Sequence, residues 1–157
     1  MAITRLQRDI CRLIAQTRIE GGESYVAGGV ALNTLVGSGR ISRDLDVFAD
    51  THEALAASWD ADRRLLEQSG YGVEVLRERP SFVEANVRGQ DGVLLVQWAC
   101  DSAYRFFPLV SHEDFGLVLH PFDLATNKVL ALVGRLEVRD WVDTILACDH
   151  IQPLIPP

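Results

Sequence analysis

The amino-acid sequence predicts an α+β fold in which helices flank a small mixed β-sheet and two helices close the chain. Three observations carry this. Apolar residues recur with the helical period at both ends and twice between, short alternating or continuous apolar runs separate them, and glycine clusters mark the joins. The resulting order is helix, strand, helix, strand, helix, three or four strands, then two helices, which suits a mixed sheet. At 157 residues the chain reads as a single domain with a real core, divided into a part of about 1–120 and a helical part of about 121–150.

Residues 3–19 place Ile3, Leu6, Ile10, Leu13 and Ile14 at helical spacing with Arg and Asp between them, and Gly21-Gly22 stops this helix. Ser24-Tyr25-Val26-Ala27 is a short strand running into Gly28-Gly29. Residues 30–36 read as a helix, 37–40 as a loop rich in glycine, and 44–49 as the second strand. Residues 51–69 form a helix with Thr51 as N-cap, Glu53 near its positive end and Gly70 at its stop. Strands follow at 71–75 and 82–87, then a turn at 89–92 and an apolar strand at 93–98. Residues 101–108 read as an aromatic-rich loop and 115–119 as a last edge strand. From Pro121 the period is helical again, with one helix ending near Gly134 and another over 138–147. The tail from Ile151 is proline-rich and cannot continue it.

The bulk numbers narrow the class. Hydrophobic residues make up 48% and charged residues 24%, an ordinary globular balance. A net charge of −7 gives no help to non-specific nucleic-acid binding. Cys11, Cys100 and Cys148 show no metal or disulfide spacing and read as small residues of a reducing compartment. The N-terminal residues lack the apolar core of a signal peptide, and no apolar stretch reaches the ~20 residues of a membrane helix. A cytoplasmic location without membrane attachment is the expectation.

Chemistry concentrates in Gly28-Gly29 and in Arg43-Asp44-Leu45-Asp46-Val47-Phe48. Carboxylates at i and i+2 of a strand project from one face. Mg²⁺ favours carboxylate oxygens and completes its shell with substrate phosphates and water. Glycines upstream let backbone N–H groups approach a phosphate with no Cβ in the way. A phosphate cradle beside a metal-binding pair reads as nucleotidyl or phosphoryl transfer.

Gly-Gly-Val-Ala-Leu-Asn (28–33) with Ser-Arg-Asp-Leu-Asp-Val-Phe (42–48) resembles the first motif of the polymerase-β-like nucleotidyltransferases. Asp-Leu-Ala-Thr-Asn-Lys-Val-Leu-Ala-Leu-Val-Gly-Arg (123–135), followed by Arg-Asp-Trp-Val-Asp (139–143), is similar to the AbiEii/AbiGii toxin branch of that superfamily. The resemblance implies the nucleotidyltransferase fold, with a nucleoside triphosphate and Mg²⁺ held at the rim of the sheet. Gly28 and Gly29 would contact the triphosphate and Asp44 and Asp46 would hold the metal. Lys128 would meet phosphate, and Asp140 would stand across the cleft as a further acid or base. It also implies an RNA acceptor, notably tRNA, and a cognate antitoxin as partner.

Two departures stand out. The superfamily's third carboxylate, on a later strand, matches Gln97 here, which brings no charge to a cation; Asp101 or Asp140 is the candidate substitute. Relatives commonly continue with further helices, so the acceptor surface is expected to be reduced or supplied by another chain. These departures keep two other readings open: a degenerate relative serving as a nucleotide- or partner-binding module, and an enzyme acting on a small cationic molecule of the aminoglycoside type, which the acidic charge suits.

Each residue also has a plainer reading. Asp44 and Asp46 alone are a solvated strand end, and Gly28-Gly29 an ordinary turn. Ser42 and Arg43 stand close enough to the acids to touch phosphate, or are loop residues with Arg43 pairing an aspartate. Lys128 is an exposed helical lysine unless Asn127 beside it marks a polar pocket. Asp140 and Asp143 share neighbouring positions of one helix face, with Asp140 preferred for catalysis. Tyr104, Phe106 and Phe107 either stack on a base or, more simply, pack beneath the last helices. The four histidines have no metal spacing, and the three tryptophans fit core positions.

Overall fold

Helix α1 (Arg5–Gly21) starts at a capping box: the Thr4 hydroxyl accepts from the Gln7 N–H while the Gln7 side chain accepts from the Thr4 N–H. It opens an α+β architecture seen in a computed structural model that describes residues 3–101, 104–135 and 137–151. After α1 come β1 (Ser24–Ala27), α2 (Gly28–Leu35), β2 (Asp44–Ala49), α3 (His52–Gln68), β3 (Gly72–Arg79), β4 (Phe82–Gly89) and β5 (Gly92–Cys100). The hairpin β6 (Val110–His112) and β7 (Gly116–Val118) then leads to α4 (Pro121–Arg135) and α5 (Val138–His150). The proline-rich tail from residue 152 lies outside the described residues.

The seven strands form one mixed sheet in the order β3-β4-β5-β2-β1-β7-β6. β2 runs parallel to β5, and β1 parallel to β7; the remaining neighbours are antiparallel. The strands alternate as period two requires. Leu45, Val47 and Ala49 of β2, Val83, Ala85 and Val87 of β4, and Leu94, Val96 and Trp98 of β5 are buried on one face. There they meet Ile10 and Ile14 of α1 and Leu55, Trp59 and Leu66 of α3. Trp59 and Trp98 pack edge to face at 4.7 Å.

Within this apolar layer lies a buried polar cluster. Asp62 of α3 accepts from Arg18 Nη2 at 2.7 Å, Trp98 Nε1 at 2.8 Å and Thr17 Oγ1 at 2.6 Å. Arg18 and Asp62 are both fully buried, so each charge depends on the other. The cluster fixes α1, α3 and β5 to one another.

Several assignments differ from the sequence expectation, among them the 115–119 segment, whose strand β7 is not an edge but lies between β1 and β6. β3 runs to Arg79 rather than 75, because its ladder with β4 continues past an irregularity between Val75 and Arg77. Its outer half carries Arg77, Glu78 and Arg79, charges that suit an exposed edge strand. β6 is a strand that the sequence did not suggest: three residues show no period, and only pairing with β7 defines it. Helix α2 begins at Gly28, two residues earlier than expected. Among the described residues no helix is long and apolar enough to cross a membrane.

Candidate active site

The opposite face of the sheet is the floor of a cleft of about 770 Å³, walled by α2, the 37–43 loop, α4 and α5. The alternation that buries Leu45 and Val47 turns Asp44 and Asp46 into this cleft. Where β2 begins is set by α1: Gln7 Nε2 donates to the Ser42 carbonyl at 2.6 Å. Ser42 Oγ in turn donates to Asp44 Oδ1 at 3.0 Å, orienting that carboxylate.

Antiparallel pairing sets Ala27 opposite Asp46, so β1 delivers Gly28 directly beside the acid pair. Gly28 has φ +70°, a conformation that a Cβ disfavours. A Cβ there would lie 1.9 Å from Asp46 Oδ2, and one on Gly29 would lie 2.7 Å from Ser42 Oγ. The glycine pair therefore makes room for the carboxylates as well as for backbone N–H groups. Its N-cap, Ala27, has no polar side chain, so α2 starts without a capping hydrogen bond from that position.

Three cations share the cleft. Lys128 Nζ of α4 lies 2.9 Å from Asp143 Oδ2, and Arg40 Nη1 donates to Asp143 Oδ1 at 2.5 Å. Arg139 of α5 approaches Asp44 Oδ2 at 3.9 Å. The cleft thus sets Asp44 and Asp46 on the sheet against Arg40, Lys128 and Arg139 around its walls. Asn33 of α2 also lines it, buried, with its Oδ1 lacking any hydrogen-bond partner.

Of the residues singled out in the sequence, Gly28, Gly29, Ser42, Asp44, Asp46, Asn127 and Lys128 come together around the cleft. Arg43 does not line it and is exposed; Arg40, three residues earlier, occupies the loop's inner side. Asp140 is fully buried and off the cleft lining, whereas Asp143 lies in it. Sequence reasoning also missed Asn33 and the positioning role of Asp123. That buried carboxylate accepts from the N–H groups of Phe106 at 2.8 Å and Phe107 at 3.0 Å, fixing the aromatic loop to α4. Phe106 and Phe107 pack edge to face on Phe122, while Tyr104 is exposed at the cleft. Asp101 lines the cleft too, but just past the end of β5, four residues and about 13 Å beyond Gln97.

Tyr25 closes that far end. Burial, with Asp50 and Asp101 adding repulsion, pushes its hydroxyl up to about 12. The Arg105 guanidinium lies over its ring at 5.1 Å and donates to both oxygens of Asp50, which raises the pKa of Arg105.

The mixed sheet with its flanking helices is shared with solved structures. A protein from H. pylori described as a nucleotidyltransferase superposes with a TM-score of 0.66 at 19% identity, covering 94% of this chain and 67% of that one. This chain has a nucleotidyltransferase fold. The antibiotic-resistance factor ANT(2'')-Ia shows the same nucleotidyltransferase fold at TM-score 0.58 and 12% identity, over 92% of this chain and 83% of that one. The MenT4 nucleotidyltransferase toxin of Mycobacterium tuberculosis H37Rv gives 0.50 and 21%, over 80% of this chain and half (50%) of that one. No protein-family model and no curated protein sequence matches the chain.

Among the described residues no group of three or more His, Cys, Asp or Glu side chains is arranged to hold a metal ion. A divalent cation here would rest on Asp44 and Asp46. The donor set fits Mg²⁺, which binds through one or two carboxylates and takes further oxygens from phosphate and water.

Proposed function

We propose that the protein is a Mg²⁺-dependent nucleotidyltransferase that moves a nucleotide from a nucleoside triphosphate to an acceptor hydroxyl, with RNA, notably tRNA, as the acceptor. One observation carries the reading: an acid pair on β2 faces three cations across a cleft into which a glycine-started helix points. Such a cleft offers a triphosphate opposite charge on one side and a metal platform on the other.

The acceptor hydroxyl would give up its proton to solvent as its oxygen attacks the α-phosphorus, while the bond to the bridging oxygen breaks and pyrophosphate leaves. Asp44 and Asp46 would hold Mg²⁺, which would supply positive charge to offset that of the phosphates. The α2 N–H groups, with Gly28 and Gly29 admitting close approach, cradle phosphate. Lys128 and Arg40 stabilise the departing charge, and Ser42 and Asn127 add polar contacts on either side. Positioning and electrostatics carry the rate, so the protein needs little covalent chemistry. The resemblance gave Asp140 the acid–base role; its full burial favours Asp143 as the carboxylate that acts in the cleft, by holding the two cations.

The RNA acceptor, the antitoxin and the AbiEii branch rest on the sequence resemblance, and the likeness of fold to the MenT4 toxin is consistent with them. A small cationic acceptor is the second reading, favoured by the net charge of −7 and by Asp101 at the far end of the cleft. Incubation of labelled nucleoside triphosphates with total RNA and with a panel of aminoglycosides separates the two by where label appears. Asp46→Ala should abolish Mg²⁺-dependent labelling with an unchanged circular-dichroism spectrum; labelling that persists in this variant refutes the metal assignment. Calorimetry that shows Mg²⁺–nucleotide binding with no product on any acceptor would instead identify a binding module.

A further inference from the structure

The row of residues that crosses the sheet at Asp46 continues past it. Parallel pairing sets Gln97 of β5 beside Asp46, and antiparallel pairing sets Glu84 of β4 beside Gln97. All three side chains are half-buried on the cleft face of their strands. Gln97 Nε2 donates to Glu84 Oε1 at 2.8 Å. A carboxylate has no proton to give, so it accepts only from the NH₂ side of the amide. Because β5 lies between β4 and β2, an NH₂ directed at Glu84 leaves Gln97 Oε1 on the Asp46 side.

We infer that Glu84 is a positioning residue which fixes the Gln97 amide so that its carbonyl oxygen is presented as a neutral third oxygen ligand beside Asp44 and Asp46. The inference rests on the metal reading above. Amide carbonyls are ordinary oxygen ligands of hard cations, but an unrestrained glutamine could equally turn its NH₂ toward the ion. Glu84 stands two strands from Asp46, about 10 Å away, so it acts through Gln97 and not on the ion directly. Outer partners of this kind commonly govern metal affinity by about 10–100-fold. The row also accounts for the missing strand acid: its negative charge sits one strand further out, and the ligand position itself is neutral.

The test is Mn²⁺ binding to the nucleotide-free protein, followed by electron paramagnetic resonance, with Asp46→Ala as the reference. Glu84→Lys offers Gln97 a donor, which turns the amide over and should weaken Mn²⁺ binding about tenfold or more. Glu84→Gln keeps an acceptor and should restore most of the affinity. A lysine also acts through space, so the same change is made in a Gln97→Leu background. If Glu84 works through the amide, Glu84→Lys has little further effect there, giving a large coupling between the sites. Effects of Glu84→Lys that are equal in both backgrounds, or absent from a folded Glu84→Lys protein, overturn the inference while Asp46→Ala still loses the ion. Wild-type protein that binds no Mn²⁺, or Asp46→Ala that binds it equally well, overturns the metal reading itself.

Discussion

At Gly28 the backbone conformation and the site chemistry make the same demand. A side chain there meets Asp46 Oδ2 at 1.9 Å, and φ is +70°. Gly28→Ala should cost about 1–2 kcal/mol of stability from the left-handed conformation alone. It should cost far more in function, because Asp46 must swing away: a misplacement of about 1 Å can lower turnover 10²-fold. Urea melts beside a labelled-nucleotide assay measure both, and an active Gly28→Ala enzyme would show that the contact does not constrain Asp46. This residue was legible in the sequence as a phosphate turn, but its packing against Asp46 was not, since it depends on the β1–β2 register. The same limit applies on α5. Asp140 and Asp143 share one helix face, and only the way α5 packs on α4 decides that Asp143 reaches Lys128. Arg40 was hidden for another reason: a glycine-rich loop carries no period from which to infer its inner side.

Among the elements, α1 and α3 do most to hold the sheet. The Arg18–Asp62 pair is fully buried and also takes the Trp98 indole N–H. Removing one partner strands the other charge, so Asp62→Ala should destabilise by about 3–5 kcal/mol in denaturant unfolding. A loss below about 1 kcal/mol would show that water reaches Arg18 once the carboxylate is gone. The helical periods of α1 and α3 and the alternation in β2, β4 and β5 were plain in the sequence, because packing on one face writes that pattern directly. β6 and the outer half of β3 were not, since each is defined by hydrogen bonds to a neighbour and buries little side-chain surface.

At the scale of the whole molecule, two buried acids, Cys11 and Tyr25, tie stability to alkaline pH. Burial pushes the Cys11 thiol up to about 12 from 9.0, and Tyr25 up to about 12 from 10.0. Both groups are neutral when protonated, and both hold the proton more tightly folded than unfolded. Their contribution is therefore complete below pH 9 and is lost as pH rises from 9 to 12. The melting temperature should fall steeply across that window, and Cys11→Ala should flatten the fall while lowering the plateau at neutral pH. At pH 8 a thiol reagent should label the half-buried Cys100 and Cys148 well before Cys11. An equal rate at all three would show that α1 opens locally.

Asp143 serves Arg40 from the loop and Lys128 from α4 with a single carboxyl group. The resting protein thus carries its own internal competitor for incoming anions. A singly charged anion would replace one contact with Asp143, whereas a chain of linked phosphates could reach both cations at once. On the proposed reading, this arrangement would favour polyanions before any base or sugar is read.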